Sequence, residues 1–120
     1  MNSKMMLVVA AALAGCATTP VPADKLSRSQ AAIKSAEEMN AAADPKAAVH
    51  LRLAKDQLEN AKALMKDGDN KAAILVLLRA EADGEAALNL ARARAAQVEA
   101  QQTIDMVRQT MAQMQEGRGS

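Results

Sequence analysis

The sequence predicts an all-α protein: an antiparallel helical hairpin or a three-helix bundle with a long C-terminal helix and Ala-rich, coiled-coil-like packing. Three observations carry that expectation. Of 120 residues, 29 are Ala, 12 Leu and 8 Met, and Phe, Tyr and Trp are absent. These are strong helix formers, and the β-branched and aromatic side chains that fill sheets are few. Apolar residues recur at alternating spacings of three and four, the heptad signature. Finally, Asp44-Pro45 and Lys66-Asp67-Gly68-Asp69-Asn70 punctuate the pattern where helices should start and stop.

The chain opens on residues 1–15, which carry one basic side chain, Lys4, and an apolar stretch from Met5 to Ala14. Such a stretch is shorter than the roughly 20 residues a membrane-spanning helix needs, and it fits the apolar core of a signal peptide. Leu13-Ala14-Gly15-Cys16 then resembles the lipobox of bacterial lipoproteins. The resemblance implies cleavage between Gly15 and Cys16, diacylation of the Cys16 thiol and a third acyl chain on its new amino group. Two or more chains anchor stably in a bilayer. An ordinary secretory signal with an incidental cysteine is the alternative, and both readings export the protein. In the lipoprotein family an aspartate directly after the cysteine retains the product at the inner membrane. Ala17 stands there, so the expected location is the outer membrane, lipid-anchored and facing the periplasm. Cys16 is the only cysteine, which excludes an intramolecular disulfide.

Residues 16–23, with Pro20 and Pro22, read as the acylated cysteine and a flexible tether. One helical domain follows over 24–115. Its first helix is expected over about 24–43, with Asp24 as cap and Leu26, Ile33, Ala36 and Ala43 as a thin apolar stripe. Asp44 at the N-cap and Pro45 at the first helical position start the second, over about 45–67. Its stripe is Ala47, Leu51, Ala54, Leu58, Ala61 and Met65, widened by Leu53 and Leu64, with Lys55–Glu59 as an attractive i,i+4 pair. Gly68 suits the left-handed conformation past a helix end, and Asp69 can cap the third helix, expected over about 70–115. Ala72–Leu78 should be its best-buried part. Gly84 weakens its middle unless a close contact needs the missing side chain. Leu90, Ala93, Gln97, Ala100, Ile104, Val107, Met111 and Met114 form a further heptad run, and residues 116–120 should be a disordered tail.

From about Ala42 to Ala100 the chain resembles the bacterial export-associated family called domain of unknown function 4398. The residues concerned are Ala47, Ala54, Ala61 and Ala63, the turn Lys66-Asp67-Gly68-Asp69, and the run Ala72–Ala96. Where many members carry an aromatic residue shortly after the Gly-Asp turn, this chain has Asn70 and Lys71. The resemblance implies a small Ala-rich helical envelope protein and supplies no catalytic residues. In plan the chain also resembles the small alanine-zipper lipoproteins, some of which attach to peptidoglycan through a terminal lysine. Peptidoglycan is thereby a conceivable partner, but Arg118-Gly119-Ser120 offers no such lysine.

Little in the sequence points to chemistry, and no catalytic or metal-binding residues are expected. His50, the only histidine, has Lys46, Ala47, Leu53 and Ala54 as its helical neighbours, and none is a metal ligand. Glu81 and Glu85 read as a solvated acidic face rather than an acid/base pair. From Cys16 onward the 14 basic and 14 acidic side chains balance, which argues against nucleic acid. No ring is present to stack on bases or sugars. Lys62, Lys66 and Lys71 form a mild basic cluster near the turn. No cofactor is expected beyond the covalent lipid on Cys16. The stripe Leu90, Ile104, Val107, Met111, Met114 is the candidate interaction surface, for a homo-oligomer or an envelope protein. The leading expectation is a non-enzymatic structural or protein-interaction lipoprotein. The alternative is a periplasmic chaperone or carrier holding apolar cargo between its helices.

Overall fold

A computed structural model describes residues 18–119. The expected cleavage site at Gly15 and Cys16 lies outside the described residues. Three helices follow one another: α1 (Ala23–Glu38), α2 (Pro45–Lys66) and α3 (Asn70–Arg118), with a single 3-10 turn, Ala41–Ala43, between the first two.

The first helix is shorter than expected. Met39 and Asn40 close it, and Asn40 adopts the left-handed conformation (φ 53°) that asparagine tolerates just past a helix end. The Asn40 N–H donates to Glu37 O and the Met39 N–H to Ser35 O. Ala41–Ala43 therefore turn the chain instead of extending α1. Asp24 does not cap this helix. Pro22 occupies the N-cap and Asp24 sits in the first turn, where its charge still complements the helix dipole.

Asp44 caps α2 as expected. Its Oδ1 accepts from the Lys46 and Ala47 N–H groups, both at 2.9 Å, with Pro45 at the first helical position. The α2–α3 turn closes as a Schellman motif: the Gly68 N–H donates to Met65 O and the Asp69 N–H to Leu64 O. Gly68 has φ 83°, which a Cβ would strain. Asp69 Oδ1 accepts from the Ala72 N–H at 3.1 Å, capping α3.

The three helices form an up-down-up bundle. α1 runs parallel to α3: Thr19, just before α1, meets Asn70 at the base of α3, and Ala32 meets Gly84 about four turns up α3. α2 runs antiparallel between them in sequence. Its first residues, Asp44–Lys46, share a cleft with Leu90, Ala93, Arg94 and Gln97 of α3.

The core is a seam of small residues. Ala36, Ala47, Ala54, Ala61, Ala73, Ala80 and Ala87 are wholly buried, and Ile33, Leu51, Leu58 and Leu77 fill the space between them. Small side chains let the helix axes approach closely, so a thin chain without aromatics still excludes water. Gly84 marks a close approach of α1 to α3. A Cβ there would lie 2.9 Å from the Ala32 Cβ and 3.1 Å from the Ile33 backbone nitrogen. Ser29 is also fully buried, its hydroxyl donating to Leu26 O at 2.9 Å. It was not part of the expected stripe because a serine in α1 reads as solvent-facing until its own helix satisfies the hydroxyl.

Two expectations for α3 change. Within Ala72–Leu78 only Ala73 and Leu77 are buried, while Leu75 and Leu78 face outward. The helix also continues through Gly117 to Arg118, so the expected tail is reduced.

Candidate functional site

Two features outside the alanine seam qualify as sites: a polar cluster between α2 and α3, and the part of α3 that outruns the bundle.

The cluster centres on Asp83. His50 Nδ1 lies 2.8 Å from Asp83 Oδ1, and Gln57 Nε2 donates to Asp83 Oδ2 at 2.9 Å. An ionised carboxylate only accepts, so Nδ1 carries the hydrogen and donates. His50 and Gln57 lie two turns apart on α2, and Asp83 reaches both from α3. Gln57 Oε1 is buried and has no hydrogen-bond partner among the described residues. The arrangement fixes the register of the hairpin. Sequence reasoning found no metal ligand beside His50 and weighed Glu81 and Glu85 rather than Asp83. The tie is separated by 33 positions, and no local signal exposes it. Glu81 and Glu85 have no part in it.

A second polar tie joins the chain before α1 to the base of α3. Asn70 Nδ2 donates to Thr19 O at 2.8 Å, and Pro22 is buried. The segment expected as a flexible tether is thus pinned from Thr19 onward. On the outside of the bundle, Lys55 pairs with Glu37 of α1 instead of Glu59, which takes Lys62. The Lys55–Glu37 pair joins α1 to α2 at the surface. Lys62, Lys66 and Lys71 stay exposed around the turn.

The overhang is the larger feature. Ala91 is the last buried residue of α3, and from Arg92 to Arg118 all but half-buried Asp105 are exposed. At about 1.5 Å per residue this is roughly 40 Å of lone helix. The candidate stripe divides there. Leu90 is half-buried against the bundle core, whereas Ile104, Val107, Met111 and Met114 are about half exposed or more. The overhang also has little internal support. Arg108 and Gln101 both bind Asp105 Oδ1, and Thr103 and Thr110 bond back to their own helix. Isolated helices are marginal in water, so the exposed Ile, Val and Met side chains are the natural source of further stabilisation.

The stripe is out of step with the bundle. The buried line on α3 is Ala73, Leu77, Ala80, Gly84, Ala87 and Ala91. Leu90, Ala93 and Gln97 sit about 100–160° around the helix from it, and Val107, Met111 and Met114 lie nearly on the opposite side.

No helix among the described residues is long and apolar enough to cross a membrane. No curated protein and no solved structure matches the chain. A family model does match, over residues 24–116, well beyond the 42–100 stretch that carries the sequence resemblance. With the bundle and nearly all of the overhang inside that match, the chain belongs to the domain of unknown function 4398 (DUF4398) family.

Proposed function

We propose that this protein is a non-enzymatic envelope lipoprotein, anchored through lipid on Cys16 to the outer membrane and facing the periplasm, whose α3 presents a docking surface. The observation that carries the reading is the overhang: roughly 40 Å of helix with an apolar stripe that the chain's own bundle leaves uncovered. The lipobox residues Leu13-Ala14-Gly15-Cys16 support the anchor.

The fold gives this reading a direction. Thr19 is held beside Asn70, at the same end as the Gly68 turn. Cys16 precedes Thr19 by three residues, so a lipid there would tether that end of the bundle. The Met111–Met114 end lies at the other, about 65 Å away along α3. Such a helix stands off a surface and offers its far half to a partner. Lys62, Lys66 and Lys71 would face the lipid headgroups. A carrier holding cargo between its helices draws less support, because the helix contacts are closed by wholly buried alanines.

In-cell photocrosslinking with the probe at Val107 and then Met111, followed by mass spectrometry, tests the docking role. A defined adduct from either site is expected, and no adduct from both removes the reading. The anchor is tested separately by metabolic labelling with an alkyne fatty acid. Label on the native chain should be lost in Cys16→Ser.

A further inference from the structure

The exposed apolar surface of α3 is longer than the overhang. Leu75 and Leu78 lie beside the bundle yet are 58% and 42% exposed, against 0% for Leu77 between them. At about 100° per residue they share a face with Val107, Met111 and Met114. Alanines fill most of the interval, Ala82, Ala93 and Ala100 among them, with Asn89 as a polar break, and all four are exposed. The result is one stripe along nearly the whole of α3, bounded by Lys71 and Arg118. It lies roughly 180° from the buried line through Leu77, Gly84 and Ala91. α1 and α2 are therefore packed on the far side of the helix from it.

The charges beside the stripe are sorted. One flank carries Glu81, Glu85 and Glu99, interrupted by Arg92; the other carries Arg79, Arg94 and Arg108, together with Asp83, which is taken up by His50 and Gln57 of α2, and Asp105, which pairs with Arg108. Two parallel helices related by a two-fold axis set opposite flanks against each other, whereas an antiparallel pair sets like flanks together. Parallel pairing of two copies brings the acidic flank to the basic one on both sides. Antiparallel pairing opposes Arg to Arg. The alanines of the stripe permit close approach, and each bundle remains on the outside of the pair.

We infer that the occupant of this face is a second copy of the chain, joined along α3 in a parallel, two-fold coiled coil. The inference rests on the docking role proposed above and names its partner. Parallel pairing also suits two copies anchored by residue 16 in one membrane.

The test is disulfide scanning of the full-length chain in cells, with dimer read in excess of the unsubstituted chain so that Cys16 is accounted for. Leu78→Cys, Ile104→Cys and Met111→Cys lie on the stripe, and Gln102→Cys and Gln109→Cys lie on the opposite face. All five positions are exposed, so the variants keep the fold, which far-UV circular dichroism checks. A parallel pair predicts self-dimers at all three stripe positions and none above background at the two controls. Three results overturn it: no excess dimer at the stripe, equal dimer at the controls, or a crosslink that forms only when Leu78→Cys and Met111→Cys chains are mixed. A foreign adduct from Val107 together with no self-dimer removes the second copy and leaves the docking role standing.

Discussion

The two halves of α3 use apolar residues in opposite ways. Between Asn70 and Ala91 the buried positions are small, with Leu77 as the one large side chain that is fully enclosed on this helix. Between Arg92 and Arg118 large apolar side chains are present and none is buried. A bundle built on alanine is held by close approach. Each contact removes little area, but backbone meets backbone across a narrow gap. In the overhang, size is kept for an outside surface. The comparison teaches that hydrophobicity in this chain does not by itself mark the core, and the following substitutions measure that.

Leu77→Ala has the largest expected effect. It removes a wholly buried side chain from a seam that has few others, and should cost about 3 kcal/mol by urea unfolding. Leu75→Ala, two residues away and of the same type, should cost under about 0.5 kcal/mol. Equal losses from the two would erase the distinction between the faces of α3.

Gly84→Ala sharpens the claim of close approach. Helix propensity alone favours alanine by about 1 kcal/mol. Its Cβ would meet the Ala32 Cβ at 2.9 Å and the Ile33 backbone at 3.1 Å, and overpacking costs about 1–3 kcal/mol. Net destabilisation of about 1 kcal/mol is expected, because α1 must shift as a body. A stabilised variant would show that the α1–α3 gap relaxes freely.

Asp44→Ala should cost about 1 kcal/mol, the usual loss for an N-cap. Two N–H groups, on Lys46 and Ala47, lose their acceptor at the point where the chain reverses into α2. Amide exchange at those two positions, read beside the unfolding curve, shows whether the loss is local.

How much of this was legible depends on the range of the interaction. The Ala47, Leu51, Ala54, Leu58 and Ala61 line of α2, the Asp44 cap, the Gly68 turn and the Asp69 cap rest on spacings of five positions or fewer and are as the sequence indicates, whereas Leu53, expected to widen that line, is exposed. The end of α1 was misjudged because alanines 41–43 are good helix formers, and only the left-handed Asn40 stops them. Leu75 and Leu78 read as core because a continuous apolar run hides which face is inward. The ties of His50 to Asp83, Glu37 to Lys55 and Thr19 to Asn70 join different elements. The last two depend on α1 folding back, a choice the sequence left open between a hairpin and a bundle, and the first on the register of the α2–α3 hairpin. For the candidate site, the stripe from Ile104 to Met114 was visible. Its continuation beside the bundle was visible only once the buried line of α3 was known.

The smallest expected effect on the fold belongs to the residues argued to matter most for function. In the chain carrying both Val107→Ser and Met111→Ser, the bundle should unfold within about 0.5 kcal/mol of the native chain, since neither side chain touches it. Amide exchange gives the finer reading. Protection over Pro45–Lys66 should be unchanged, while protection over Arg92–Arg118 should fall if a partner covers the stripe in the native protein. The same variant should lose the crosslinks made from neighbouring stripe positions. Unchanged protection in the overhang would mean that the lone helix is stable without a partner, and its exposed methionines would then need no docking surface to explain them. A weakened bundle would mean that the two halves of α3 are energetically one, and the contrast between them would fall.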